Sequence, residues 1–127
     1  MSAYLDTQIV MWISAGRMKK LTREALRTIE SSDLLISPII LVEIRYLFEI
    51  NRLVKSPLAI LDQLQKQIGL KVSDHPFPAI ANAALFETWT RDLFDRLIVA
   101  HARSDGYSGL ITSDEKIREN YSKTIWV

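Results

Sequence analysis

Short apolar runs alternate with segments of helical apolar spacing along the whole 127-residue chain. "AYLD", Ala3 to Asp6, is an apolar run closed by an acid and reads as a buried first strand; "TQIVMWISAG" then sets Ile9, Val10, Trp12 and Ile13 at helical spacing before Gly16 stops it. "LTREALRTIESS" puts Leu21, Ala25, Leu26 and Ile29 on one face behind Thr22 as N-cap. "DLLISP" is the next strand, cut by Pro38, and "IILVEIRYLFEINRL" a third helix entered directly from that proline. "SPLAILDQLQKQIG" has a Ser-Pro start and a Gly69 stop, the marks of a fourth helix, and "LKVSD" reads as a short strand. Two helical segments follow, "PAIANAALFETW" and "RDLFDRLIVAHARSDG", meeting between Trp89 and Asp92; then come a strand in "SGLITSD", a short helix in "DEKIRENY" and a terminal strand in "KTIWV". The strands are apolar throughout rather than half-polar. Strands of that kind, alternating with helices, predict a mostly parallel central sheet covered on both faces, an α/β/α sandwich.

Length then sets the domain count, since 127 residues suffice for one packed core and not for two ordinary domains; residues 1–127 are expected to form one domain. Sixteen basic against fifteen acidic residues give a formal charge of +1, so affinity for nucleic acid has to come from a local patch. The chain has no cysteine, which excludes disulfides, thiolate ligands and thiol catalysis and fits a cytoplasmic setting. The longest apolar run, "LLISPIILVEI", is broken by Pro38 and Glu43 well short of a membrane span, so no membrane association is expected.

The acids carry the candidate chemistry. Asp6 and Asp114 each stand at the carboxyl end of an expected strand, and in an open parallel sheet that edge forms the ligand crevice where strand order reverses. Taken singly, Asp6 could equally open a turn and Asp114 cap the helix after it. Glu43 interrupts a nearly continuous apolar run from Ile39 to Phe48, and a carboxylate there needs a partner: a metal ion, a hydrogen-bond set, or a base such as Arg45 or Arg96. Asp92 has a local explanation as a first-turn cap. Asp95 has none, and its alignment with Ile98 and Val99 turns it towards the sheet. Carboxylates gathered in one crevice repel unless a divalent cation neutralises them, and an all-oxygen set selects Mg²⁺ or Mn²⁺ over zinc.

Four pieces, "YLDTQIVMW", "ISPIILVEI", "RDLFDRLIVAHARSDG" and "LITSDEKI", resemble in order and spacing the PIN domain, and among PIN domains the VapC-type ribonuclease toxins of toxin–antitoxin pairs. The resemblance covers essentially the whole chain. It implies a five-stranded, mostly parallel sheet between helices, metal-dependent endoribonuclease activity, and an acidic quartet falling on Asp6, Glu43, Asp95 and Asp114. It also implies small hydroxyl residues near the metal or scissile phosphate at Thr7, Thr112 and Ser113, and a cognate antitoxin as partner. Two positions depart from the family's usual pattern: Gln8 stands where Asn is frequent, and Leu93 where Pro is frequent. Neither removes a carboxylate.

RNA must approach this acidic centre, and "GRMKKLTREALR" concentrates Arg17, Lys19, Lys20, Arg23 and Arg27 nearby, either as a phosphate-tracking patch or as a solvated helix face. Trp12, Trp89 and Trp126 sit in apolar contexts that favour packing over base stacking, and His75 and His101 are assigned no chemistry. "IILVEIRYLFEI" carries more apolar surface than one helix side can bury, which suggests a homodimer. Two other classes compete. A receiver-like signalling domain would want adjacent acids after the first strand, where this chain has only Asp6; a PIN-like module that binds RNA or protein without cleaving it would share the quartet.

Overall fold

Strand β1, Ser2–Leu5, lies at the centre of a five-stranded sheet of order β3-β2-β1-β4-β5 in a computed structural model that describes all 127 residues. Its neighbours are β2, Asp33–Ile36, and β4, Gly109–Ile111; β3, Lys71–Val72, and β5, Thr124–Ile125, form the edges. Every pairing is parallel, with Tyr4 beside Leu35 on one side and Leu110 on the other. Burial of Ala3, Tyr4, Leu5, Leu34, Ile36, Leu110 and Ile111 matches the apolar composition of the central strands, which have helices on both faces.

Seven helices make the crossovers: α1 Thr7–Ser14, α2 Arg23–Ser31, α3 Pro38–Glu49, α4 Pro57–Ile68, α5 Phe77–Ala84, α6 Leu93–Ser104 and α7 Glu115–Asn120. Their starts are encoded locally. The side-chain oxygens of Thr22, Ser37 and Ser56 accept from first-turn N–H groups of α2, α3 and α4, and those of Asp6, Asp92 and Asp114 do the same for α1, α6 and α7. Pro38 and Pro57 occupy first-turn positions where their missing N–H costs nothing. Helix α4 ends at Gly69, whose φ of +67° suits a residue without a Cβ.

The structure refines the expected boundaries in two places. Helix α3 stops at Glu49 rather than continuing to Leu53, because Asn51 turns the chain in the left-handed region at φ +62°. The junction left open between Trp89 and Asp92 resolves into a loop from 85 to 92, after which Asp92 starts α6. One connected core, including Ile9, Ile13, Ile40, Ile44, Leu64, Ile98 and Val99, fills the space between sheet and helices. The three tryptophans are half-buried and pack against its rim. No helix is long and apolar enough to cross a membrane.

Candidate active site

The strand order reverses at β1: the chain first builds outward through β2 and β3, then returns to add β4 and β5 on the other side. The carboxyl ends of β1 and β4 therefore flank the switch point, where an open parallel sheet forms its crevice. Asp6 follows β1 directly, and Asp114 follows β4 after Thr112 and Ser113. Glu43 arrives from the second turn of α3 and Asp95 from the first turn of α6. All four carboxylate residues line one cavity of about 300 Å³, together with Thr7, Gln8, Met11, Leu47 and Arg52.

Local hydrogen bonds fix the two strand-end acids. The Thr7 N–H donates to Asp6 Oδ1 at 2.8 Å, and the Thr112 hydroxyl donates to Asp6 Oδ2 at 2.6 Å. Thr112 Oγ1 in turn accepts the Asp114 N–H at 3.0 Å, while Asp114 Oδ1 accepts the Ile117 N–H at 2.9 Å. The turn and cap roles considered for Asp6 and Asp114 are thus both real, and each role holds the carboxylate at the mouth. Glu43 accepts the Thr7 hydroxyl on Oε1. The hydroxyls of Thr7 and Thr112, both buried, are committed to carboxylates and position them; Ser113 is half-buried and lies outside the cavity lining.

Arg52 is the one base lining this cavity, and neither it nor any other base forms an ion pair with the four acids. Arg45 pairs with Glu49 at 2.9 Å on the exposed side of α3, and Arg96 donates to the Thr90 carbonyl at 2.6 Å, so neither suggested partner reaches Glu43. Burial pushes the Asp6 carboxyl above its ordinary range, aided by the charges of Asp114 and Asp92, and burial with the charges of Asp6 and Asp92 does the same to Glu43. Burial raises Asp95 to about 7, with Asp92, Asp6, Asp114 and Glu43 adding repulsion. Asp92 is therefore a fifth acid in the field of the site. Its capping bond to the Asp95 N–H at 3.0 Å was legible from sequence; its bearing on the other four was not, because that depends on how α6 is docked.

Some of the charge is offset by the fold. The N-termini of α1, α6 and α7 all start at acids of this cluster, so three sets of first-turn N–H groups face it. As the side chains stand, no three carboxylates enclose a position suited to an ion. The donor chemistry nevertheless fits a hard divalent cation: the lining acids offer only oxygen, repel one another, and lack a counter-charge within ion-pair distance. Of the basic residues singled out from sequence, Arg17 lines an adjoining cavity, while Lys19 and Lys20 lie on an exposed 3₁₀ turn, Met18–Lys20, outside the cleft.

Comparison with known proteins adds three findings. A family model, the PIN domain, matches residues 3–123. No curated protein sequence matches the chain. Among solved structures, the chain is similar over its full length to a chain of VapBC2 from Rickettsia felis, in a crystal structure bound to a DNA fragment from its promoter, with a TM-score of 0.62, 17% identity and the whole of that chain covered. It is also similar to PAE2754 from Pyrobaculum aerophilum, with a TM-score of 0.57 and 18% identity over 98% of this chain and 88% of that one.

Proposed function

This chain belongs to the PIN-domain family, and on that basis we propose that it is a Mg²⁺- or Mn²⁺-dependent endoribonuclease and the toxin of a toxin–antitoxin pair. The observation that carries the reading is the gathering of Asp6, Glu43, Asp95 and Asp114 around one cleft at the sheet's switch point, with none of the four in an ion pair. Four unpaired carboxylates in one cleft have no evident structural use, because their mutual repulsion works against folding.

Asp6 and Asp95 are the residues we assign to direct metal ligation, with Glu43 and Asp114 completing the set. A bound divalent cation supplies Lewis acidity towards a phosphodiester oxygen and the positive charge that lets an anionic strand approach. The chain's own residues supply position. Thr112 and the Thr7 N–H hold Asp6 from both sides, leaving its remaining lone pairs facing the cavity. The Thr7 hydroxyl holds one oxygen of Glu43 and leaves the other for a ligand or for orienting an attacking water. Asp95 carries no side-chain hydrogen bond and is the most adaptable of the four.

The partner half of the proposal draws on the similarity to a chain of the VapBC2 complex and supposes a cytoplasmic protein bound by a cognate antitoxin. The exposed Val42, Tyr46 and Leu93 on α3 and α6, beside the half-buried Phe94, support the expected homodimer. Cellular RNA ends mapped after brief expression provide the test: the wild type is expected to create discrete new ends that Asp6→Asn does not. Identical end profiles for the two would refute the ribonuclease reading and favour a binding module.

A further inference from the structure

Helix α3 would carry Arg52 away from the acids if it ran on as far as its apolar pattern predicts. At about 100° per residue, a position nine residues after Glu43 lies roughly half a turn round the helix from it. The chain instead leaves the helix after Glu49. Asn51 takes the left-handed conformation at φ +62°, its N–H donates to the Phe48 carbonyl at 3.1 Å, and the Arg52 N–H donates to the Leu47 carbonyl at 2.8 Å. Asn enters that conformation more readily than any bulky or β-branched residue, so the reversal is encoded at one position. Leu47 and Arg52 consequently line the same cavity as Asp6, Glu43, Asp95 and Asp114.

Arg52 nevertheless stands beyond ion-pair distance of all four carboxylates. A counter-ion for the acids would close onto one of them, because carboxylates that repel one another attract any cation within reach. Arg52 is exposed and also lines the adjoining cavity with Arg17, which puts it at the rim of the cleft rather than among the acids. A cation in that place has a use for an anionic substrate. With all four acids ionised, one divalent ion cancels only part of their charge, and an incoming phosphodiester still meets a negative cleft. A guanidinium at the rim offsets this, and its planar fork matches two oxygens of one phosphate.

We propose that Arg52 is a substrate-binding residue that holds a phosphate group of the strand being cut, and that the left-handed turn at Asn51 is what positions it. The inference rests on the nuclease reading and adds to it the side chain that receives the substrate's charge at the acidic cleft.

The test is equilibrium binding in Mg²⁺ of a fluorescein-labelled RNA octamer to protein carrying Asp95→Asn, so that the RNA stays intact, with a thermal melt of every variant alongside. Adding Arg52→Ala is expected to weaken binding roughly tenfold and to reduce its salt dependence by about one ion. Arg52→Lys keeps the charge and loses the fork, and is expected to keep the salt dependence while recovering part of the affinity. Lys66→Ala removes the same charge from the exposed side of α4 and is expected to change affinity by less than about twofold. Asn51→Gly preserves the turn and should bind as tightly as the parent, whereas Asn51→Val should reproduce much of the Arg52→Ala loss. An Arg52→Ala affinity no weaker than that of Lys66→Ala would overturn the inference; if that variant also melted lower, Arg52 would be a counter-ion of the acids instead. Equal affinities for Asn51→Gly and Asn51→Val would overturn the role of the turn. Cleavage by the chain with Asp95 intact is scored separately: its absence would refute the nuclease reading, while cleavage together with binding insensitive to Arg52 would refute this inference alone.

Discussion

The hydroxyl of Thr112 stands 2.6 Å from Oδ2 of Asp6, joining the carboxyl ends of β4 and β1 across 106 residues of sequence. The same oxygen accepts the Asp114 N–H at 3.0 Å. One fully buried hydroxyl therefore ties two of the four acids together.

Thr112→Val keeps the shape and removes the donor to a buried carboxylate. It is expected to lower stability by about 1–3 kcal/mol in urea titrations. RNA cleavage should fall roughly tenfold to a hundredfold, the usual effect of losing a group that orients a ligand. Thr112→Ser should restore both.

Asp95→Asn separates activity from stability. Because the Asp95 carboxyl is raised to about 7, its native form favours the proton more than the unfolded chain does. Its contribution is therefore fully present below the ordinary carboxylate range and is lost as pH rises through about 7. In chelator at pH 8, the Asn variant should melt several degrees above the wild type; at pH 4 the two should converge. Mn²⁺ should raise the melting temperature of the wild type and do little for the variant. Equal melting temperatures at pH 8 would show that Asp95 is not under the repulsion described.

The acid side of the pH profile belongs to another group. His101 is fully buried, with Nδ1 2.8 Å from Ser37 Oγ and Nε2 2.9 Å from Ser73 Oγ. Burial, with the nearby His75, lowers it to about 4, against some upward pull from Asp105. A depressed histidine contributes stability that is complete above its ordinary value and is lost as pH falls towards about 4. Between pH 7 and 5 the loss from this group should be on the order of 2 kcal/mol. The difference in unfolding free energy between wild type and His101→Gln, measured at both pH values, should shrink by about that amount. A constant difference would assign the acid sensitivity elsewhere.

How far these features could be read from sequence depends on whether the signal was local. The apolar run Ala3–Leu5, closed by Asp6, announced both the central strand and the acid at its end, because a parallel strand buried on two faces leaves nowhere else for a charge. Asp95 was legible as an acid that, with Arg96, interrupts an otherwise apolar helical face. Caps at Thr22, Asp92 and Asp114 were equally local. The strand order and the entry of Arg52 into the cleft were not, since the first depends on long-range pairing and the second on the left-handed turn at Asn51. His101 looked like an ordinary position on a helix face. Its role as a buried link needed Ser37 and Ser73 brought in from the ends of β2 and β3.

On the proposed function, the acidic cleft cleaves RNA with a divalent cation. The most direct test is single-turnover cleavage of a labelled single-stranded RNA by purified wild type and by Asp6→Asn and Asp95→Asn, in Mn²⁺ and in chelator. Cleavage is expected from the wild type in Mn²⁺ alone, with a loss of about a hundredfold or more in each variant. Cleavage that survives the chelator, or variants that cut at the wild-type rate, would contradict that function.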